Sequence, residues 1–226
     1  MVMGKNYLKV IYREIKNSLG RFLAIIAIVA LGVGFLLGLL STTPDLRASV
    51  DTYYKEKNML DILIKSTTGL NENDKSFLEE NIEEIETIMP AYVTDVILDT
   101  SSNETIVTRI YGLNIEDLEE DEFINKLTLI EGELPKNDNE VLIQKPIGNM
   151  SNIQIGDVLK ISEENSNYED TLKNYKINEY KVVGVVENPF YYSIDKEPSQ
   201  VGSGKLSAIV YGFEEIFDLD VYTDFL

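Results

Sequence analysis

Between Phe22 and Leu40 the chain reads FLAIIAIVALGVGFLLGLL, 19 consecutive residues without a charge. Thirteen of them are Leu, Ile, Val or Phe, and the remainder are Ala or Gly. At the insertion free energies of these residue types the block favours a bilayer by roughly 4–8 kcal/mol before its glycines are counted. Coiled at 1.5 Å per residue it extends about 28 Å, close to a hydrocarbon core of about 30 Å. The core helix of a soluble protein rarely needs so long an apolar run. A cleaved secretory signal would carry an apolar region of about 7–15 residues and a small-x-small site. The residues that follow, Ser41-Thr42-Thr43-Pro44-Asp45, offer no such site. The block is read as a retained membrane-spanning helix with its ends at Phe22 and Leu40.

Charge sets the expected orientation. Residues 1–21 carry Lys5, Lys9, Arg13, Lys16 and Arg21 against a single Glu14, a net of +4. The whole chain has 20 basic and 39 acidic side chains, which leaves 15 and 38 for residues 41–226, a net of −23. A basic flank before a span and an acid-rich sequence after it place the N-terminus in the cytoplasm and residues 41–226 outside. Tyr7, Leu8, Ile11, Tyr12, Ile15 and Leu19 recur at helical spacing, with Lys5, Lys9, Arg13 and Lys16 in the gaps. This pattern predicts a basic amphipathic helix lying on membrane lipid at the inner surface. The plain alternative is a charged flank that sets orientation alone. Within the span, Gly34 and Gly38 form a Gly-x-x-x-Gly pair that would let a second membrane helix approach closely.

No later segment is apolar enough to cross a membrane; runs such as Val182–Val186, itself interrupted by Gly184, are far too short. The 186 residues from 41 to 226 are long enough to bury a core without disulfides. Thr43 before Pro44 predicts a helix start, with Leu46, Val50, Tyr53 and Tyr54 on one face of a stalk. Strands are predicted at Leu60–Ile64, Ala91–Thr100, Glu104–Tyr111, Glu140–Lys145, Val158–Ile161, Tyr180–Val186, Ser207–Tyr211 and Val221–Leu226. Asn71-Glu72-Asn73-Asp74 caps a helix with Leu78, Ile82 and Ile85 on its apolar face. Ser101-Ser102-Asn103 makes a hairpin turn, Gly132–Pro135 a turn, and Glu163–Asn174 a polar loop. Irregular interleaving of strands and helices predicts an α+β fold. The organisation expected is a cytoplasmic helix over 1–21, a span over 22–40 and one extracytoplasmic domain over 41–226.

The chain has no His, Cys or Trp. That excludes a Ser-His-Asp or Cys-His relay, Cys/His zinc sites and a disulfide framework. So acidic a chain lacks the cationic surface that nucleic-acid binding requires. Gly202-Ser203-Gly204-Lys205 resembles a phosphate loop only superficially, because Ser199 stands at the earlier Gly position and Leu206 where a magnesium-binding Ser or Thr is needed. The acidic run Glu116–Glu122 lacks the Gly-centred ligand spacing of a calcium loop and reads as a solvated turn. Asn103-Glu104-Thr105 and Asn149-Met150-Ser151 match the glycosylation sequon, a pattern frequent by chance. No catalytic residue, cofactor site or metal site is singled out.

The stretch Arg13-Glu14-Ile15-Lys16-Asn17-Ser18-Leu19-Gly20-Arg21-Phe22-Leu23 running into Ala30–Phe35 resembles the first membrane helix of FtsX-like ABC transporter permeases. Pro44-Asp45-Leu46 through Tyr53-Tyr54 to Leu60-Asp61-Ile62 and Ser66–Leu70 follows the same family. So do Glu131–Pro135 with Glu140–Ile143, Ile155-Gly156-Asp157, and Val182–Val186 with Asn188-Pro189, which resemble the MacB-type extracytoplasmic domain. The resemblance implies a permease subunit that dimerises and works with a cytoplasmic ABC ATPase, with no catalytic residues of its own; the basic spacing before the span puts Lys9, Arg13, Lys16 and Arg21 in orientation or coupling. Such permeases have at least four membrane helices, so the chain is expected to be an N-terminal fragment or a truncated reading frame. The rival readings are a single-pass sensor or adhesion protein with a ligand-binding ectodomain and a membrane-anchored hydrolase using carboxylates.

Overall fold

The computed structural model describes residues 3–118, 120, 122–148 and 150–226. The chain divides into two units, one ending at Tyr53 and the other running Tyr54–Leu226. Helix α1 spans Met3–Asn17 and α2 spans Leu19–Glu56. They part at Ser18, whose hydroxyl donates to the Glu14 carbonyl at 2.8 Å while its N–H is shared between the carbonyls of Glu14 and Ile15. A serine hydroxyl that bonds its own preceding turn competes with the regular ladder.

One helical expectation is corrected. Thr43 does not cap a new helix, because α2 runs through Pro44. Pro44 has no N–H for the carbonyl of Leu40, an interior cost of roughly 3 kcal/mol. A missing donor does not by itself end a helix, which needs a residue that turns the chain away, commonly one in the left-handed region. Among the described residues, the first with positive φ is Asn58, at 45°. The strain is therefore carried inside α2.

After α2 come β1 (Ile64–Leu70), α3 (Glu72–Asn81), β2 (Pro90–Thr100) and β3 (Thr105–Leu113). Then follow β4 (Thr128–Gly132), β5 (Glu140–Gln144), β6 (Val158–Ile161) and α4 (Tyr168–Leu172). The chain continues with β7 (Glu179–Glu187), β8 (Ala208–Phe213) and β9 (Tyr222–Phe225). The α+β expectation holds. Asn71 caps α3 as read, its side chain accepting from the N–H groups of Asn73 and Asp74 while the Asp74 carboxylate accepts from the Asn71 N–H. Residues 60–63 are not a strand. The pairing begins at Ile64, because Leu60 is held by a side chain rather than by a ladder. Strand β4 escaped the sequence reading, since most of its residues are exposed and show no alternation. The polar loop contains α4, whose Tyr168 and Leu172 pack on the core.

Pairing closes six strands into a ring: β2 with β3, β3 with β8, β8 with β5, β5 with β7, β7 with β6, and β6 back to β2. The β3–β8 and β5–β7 pairs are parallel and the other four antiparallel. Closure removes the open edges of these strands. Strand β9 joins outside the ring, between β1 and the start of β2. Side chains alternate along each strand, so the ring has two apolar faces. Val96, Leu98, Ile110, Val141, Ile143, Tyr180, Val182 and Val210 form one cluster; Val107, Tyr111, Leu142, Ile209 and Tyr211 belong to the other. Burial on both faces explains why the sequence here is continuously hydrophobic. Gly132 and Gly184 are register partners at a close approach of β4 to β7 in their antiparallel pair. A Cβ on Gly132, where φ is +85°, would lie 2.2 Å from the Val183 carbonyl oxygen, and one on Gly184 would lie 2.7 Å from that of Glu133.

Candidate functional site

The sequence-predicted positions fall on α1 and α2. Phe22 and Leu40 lie within α2, no described residue of which is buried. This helix is long and apolar enough to cross a membrane. A Cβ added to Gly34 or Gly38 would meet nothing within 4 Å, so the small-residue face stands open and is not brought against another helix. Lys9, Arg13 and Lys16 lie on α1, and Arg21 in the first turn of α2; all four are exposed.

The feature that sequence reasoning missed is how α2 ends inside the second unit. The N–H of Met59 donates to the Tyr54 carbonyl at 2.9 Å and that of Asn58 to the Lys55 carbonyl at 3.2 Å, with Asn58 left-handed between them. This is a Schellman terminus, in which asparagine serves where glycine is commoner. The segment 123–128 then clasps it. Asn125 N–H donates to the Asn58 carbonyl at 2.8 Å, and Lys126 N–H to the Lys57 carbonyl at 2.9 Å. Asn58 Nδ2 donates to the Phe123 carbonyl at 3.2 Å, Leu60 N–H to Asn125 Oδ1 at 3.1 Å, and Lys57 Nζ to Thr128 Oγ1 at 2.7 Å. Asn125 is buried and also left-handed, at φ 55°. Phe123 and Leu127 on either side sink into the second apolar cluster. The helix terminus is thus fastened to the domain by a collar of directed bonds. The available signal was an Asn directly after the Lys-Glu-Lys that closes the helical pattern. Nothing local marked Asn125.

A second polar assembly holds the strap of residues 188–206 on the outer face of the ring. Arg109 donates from Nε to Asp95 Oδ1 at 2.7 Å and from Nη2 to Asp95 Oδ2 at 3.1 Å, a fork matched to the carboxylate across the β2–β3 pair. Its Nη1 reaches Glu197 Oε2 on the strap at 2.6 Å. Burial alone would lower the pKa of this guanidinium, but its hydrogen bond to Asp95, with a further contribution from Tyr191, carries the net shift upward. Beside it the hydroxyls of Tyr111 and Tyr191 hydrogen-bond, and Gln144 Oε1 accepts from Asn188 N–H at 3.1 Å and from the Tyr211 hydroxyl at 3.2 Å. Burial pushes the Tyr191 phenol up to about 12 and raises those of Tyr111 and Tyr211 well above the ordinary value. These phenols stay neutral at physiological pH.

The remaining sequence candidates separate. The Gly202–Lys205 segment is a tight turn in which Ser199 N–H donates to the Gly204 carbonyl at 3.0 Å. Of the acidic run, Glu116 and Asp117 sit in a short 3₁₀ turn, and positions 119 and 121 lie outside the described residues. Asn103 occupies the exposed tip of the β2–β3 hairpin at φ 60°, while Asn149 lies outside the described residues.

No curated protein matches the chain. Among solved structures, the periplasmic region of MacB from Actinobacillus actinomycetemcomitans is similar at 14% identity and TM-score 0.39, over 72% of this chain and 64% of that one. The extracellular domain of the noncanonic ABC-type transporter YknZ from Gram-positive bacteria is similar at 12% identity and TM-score 0.42, over 72% and 79%. A permease-protein domain from Porphyromonas gingivalis is similar at 15% identity and TM-score 0.33, over 66% and 58%. The chain thus spans just under two thirds of the MacB periplasmic region. The family model of the MacB-like periplasmic core domain matches residues 22–210, which is most of the 226 residues, so the chain belongs to the MacB-like periplasmic core domain family.

Proposed function

We propose that this chain supplies the first membrane helix and the extracytoplasmic domain of an ABC transporter permease, in which a cytoplasmic ATPase subunit drives motion outside the membrane and a second permease copy completes the assembly. The observation that carries the reading is the family match over residues 22–210, which takes in both the apolar stretch and the ring of strands. In this reading residues 1–21 are cytoplasmic and residues 41–226 extracytoplasmic. The chain is not itself an enzyme; its partner hydrolyses ATP. A helix is stiff along its axis because each peptide is bonded to the next turn. The collar at Asn58 and Asn125 supports transmission, since displacement of the end of α2 is passed to the 123–128 segment and so to the second apolar cluster.

The test is Ile15→Pro in the complete permease with its ATPase. Proline inside α1 removes a hydrogen bond and clashes with the preceding turn, at about 3 kcal/mol. Coupling predicts that the variant inserts and assembles but loses ATP-dependent movement of the extracytoplasmic domain, read by cross-linking outside the membrane. Normal ATP-dependent movement overturns the coupling role. Absence of any ATPase from the assembled complex overturns the permease reading.

A further inference from the structure

Helix α1 carries its cations on one unpartnered face, with its single acid, Glu14, about 100° or more round the helix from them. At about 100° per residue around a helix, Lys9, Arg13 and Lys16 fall within an arc of roughly 60°, and Leu8, Ile11 and Ile15 within another of similar width. Tyr12 projects between the two arcs, and Lys5 extends the basic one in sequence. Tyr7, Leu8 and Tyr12 are 69%, 67% and 72% exposed. Among the described residues, Lys9, Arg13 and Lys16 have no carboxylate partner, although the chain carries a net charge of −19. Setting the orientation of a span requires only cations near it, on any face. Registration of the cations beside an apolar stripe, with tyrosines at 7 and 12, is what a helix lying in an interface requires.

We propose that α1 lies in the plane of the bilayer surface and that Lys9, Arg13 and Lys16 bind the headgroups of anionic phospholipid, so that docking of this helix depends on lipid charge. The inference rests on the membrane-spanning reading of α2 and not on the ATPase. Each cation held near an anionic surface strengthens the attraction about fivefold, so three give about a hundredfold preference over a zwitterionic surface.

The absence of Trp makes a single introduced Trp an unambiguous reporter. The full chain carrying Tyr12→Trp, and separately Phe35→Trp, is reconstituted into phosphatidylcholine vesicles containing the same small mole fraction of brominated phosphatidylglycerol or brominated phosphatidylcholine. The proposal requires Trp at position 12 to be quenched several-fold more by the brominated anionic lipid. It also requires that difference to vanish in a Lys9→Gln, Arg13→Gln, Lys16→Gln background, with position 35 quenched equally by both lipids. Equal quenching at position 12 by the two lipids overturns the headgroup role, and no quenching there removes the helix from the bilayer altogether. Unquenched Trp at position 35 is the separate failure, that of the membrane span, and it overturns the proposal with it.

Discussion

The backbone N–H of Asn125 donates to the carbonyl of Asn58 at 2.8 Å, and both residues sit in the left-handed region, at φ 55° and 45°. Two asparagines 67 positions apart thus hold the sharpest turns of two segments against each other. Each tolerates positive φ because a short polar side chain can bond locally. Here both side chains bond across to the other segment instead: Asn58 Nδ2 reaches the Phe123 carbonyl and Asn125 Oδ1 takes the Leu60 N–H.

Replacing Asn125 tests the collar. Asn125→Ala leaves the Leu60 N–H unsatisfied, at about 1–3 kcal/mol, and adds roughly 1–2 kcal/mol for alanine in a left-handed conformation. Asn125→Gly loses the side-chain bond without the second cost. Thermal unfolding of the full chain in detergent should rank wild type above Gly and Gly above Ala. An alanine variant as stable as the glycine one would remove backbone conformation from the explanation.

The Arg109 assembly predicts unequal costs for its two carboxylate partners. Arg109→Met leaves the partly buried Asp95, together with Glu197, without its cation, at a cost below the roughly 3–5 kcal/mol of a fully buried pair but above about 1 kcal/mol. Glu197→Gln keeps a hydrogen-bond acceptor at a half-exposed site and should cost no more than about 1 kcal/mol. The second variant should loosen the strap selectively, raising hydrogen exchange in residues 188–206 ahead of global unfolding. Uniform acceleration across β2 and β3 would show that the strap and the ring open together.

Alkaline titration should reveal the buried phenols. Burial raises Tyr175 and Tyr191 to about 12 from an ordinary value of 10.0. A raised folded-state value means that the native state keeps a proton the unfolded chain has released. The stabilisation is therefore complete below pH 10 and is lost as pH rises from 10 to 12. Each such tyrosine contributes a slope of about 1.4 kcal/mol per pH unit in that window. Tyr175→Phe loses the contact with the Thr94 hydroxyl but should flatten the alkaline limb by one such increment. Urea midpoints between pH 8 and 12 measure both effects, and an unchanged slope counts against the buried phenol at Tyr175.

Orientation is open to direct measurement because the chain has no cysteine. Ser18→Cys and Ser102→Cys place single thiols at exposed positions before and after the span. With an impermeant thiol reagent on intact cells, Ser102→Cys should label and Ser18→Cys should not. Labelling confined to Ser18→Cys would reverse the topology.

What the sequence alone determined is whatever rests on local periodicity and composition. The run from Phe22 to Leu40, the basic spacing of α1, the Asn71 cap and the β2–β3 hairpin each depend on residues a few positions apart, where side-chain spacing and turn chemistry act directly. The family resemblance drew on the order of such segments, and the family match bears it out. What needed the tertiary structure lies where partners are distant. Pro44 reads locally as a helix start, yet α2 continues to the first left-handed residue, at Asn58. Strand β4 has no alternating pattern and exists because β7 supplies its hydrogen bonds. Ring closure depends on β6 bridging β2 and β7, and the collar on Asn125 meeting a helix end far back in the chain. A hydrogen bond between remote segments leaves no periodic trace in either, because the pairing is set by the packing of the whole sheet rather than by the residues beside it.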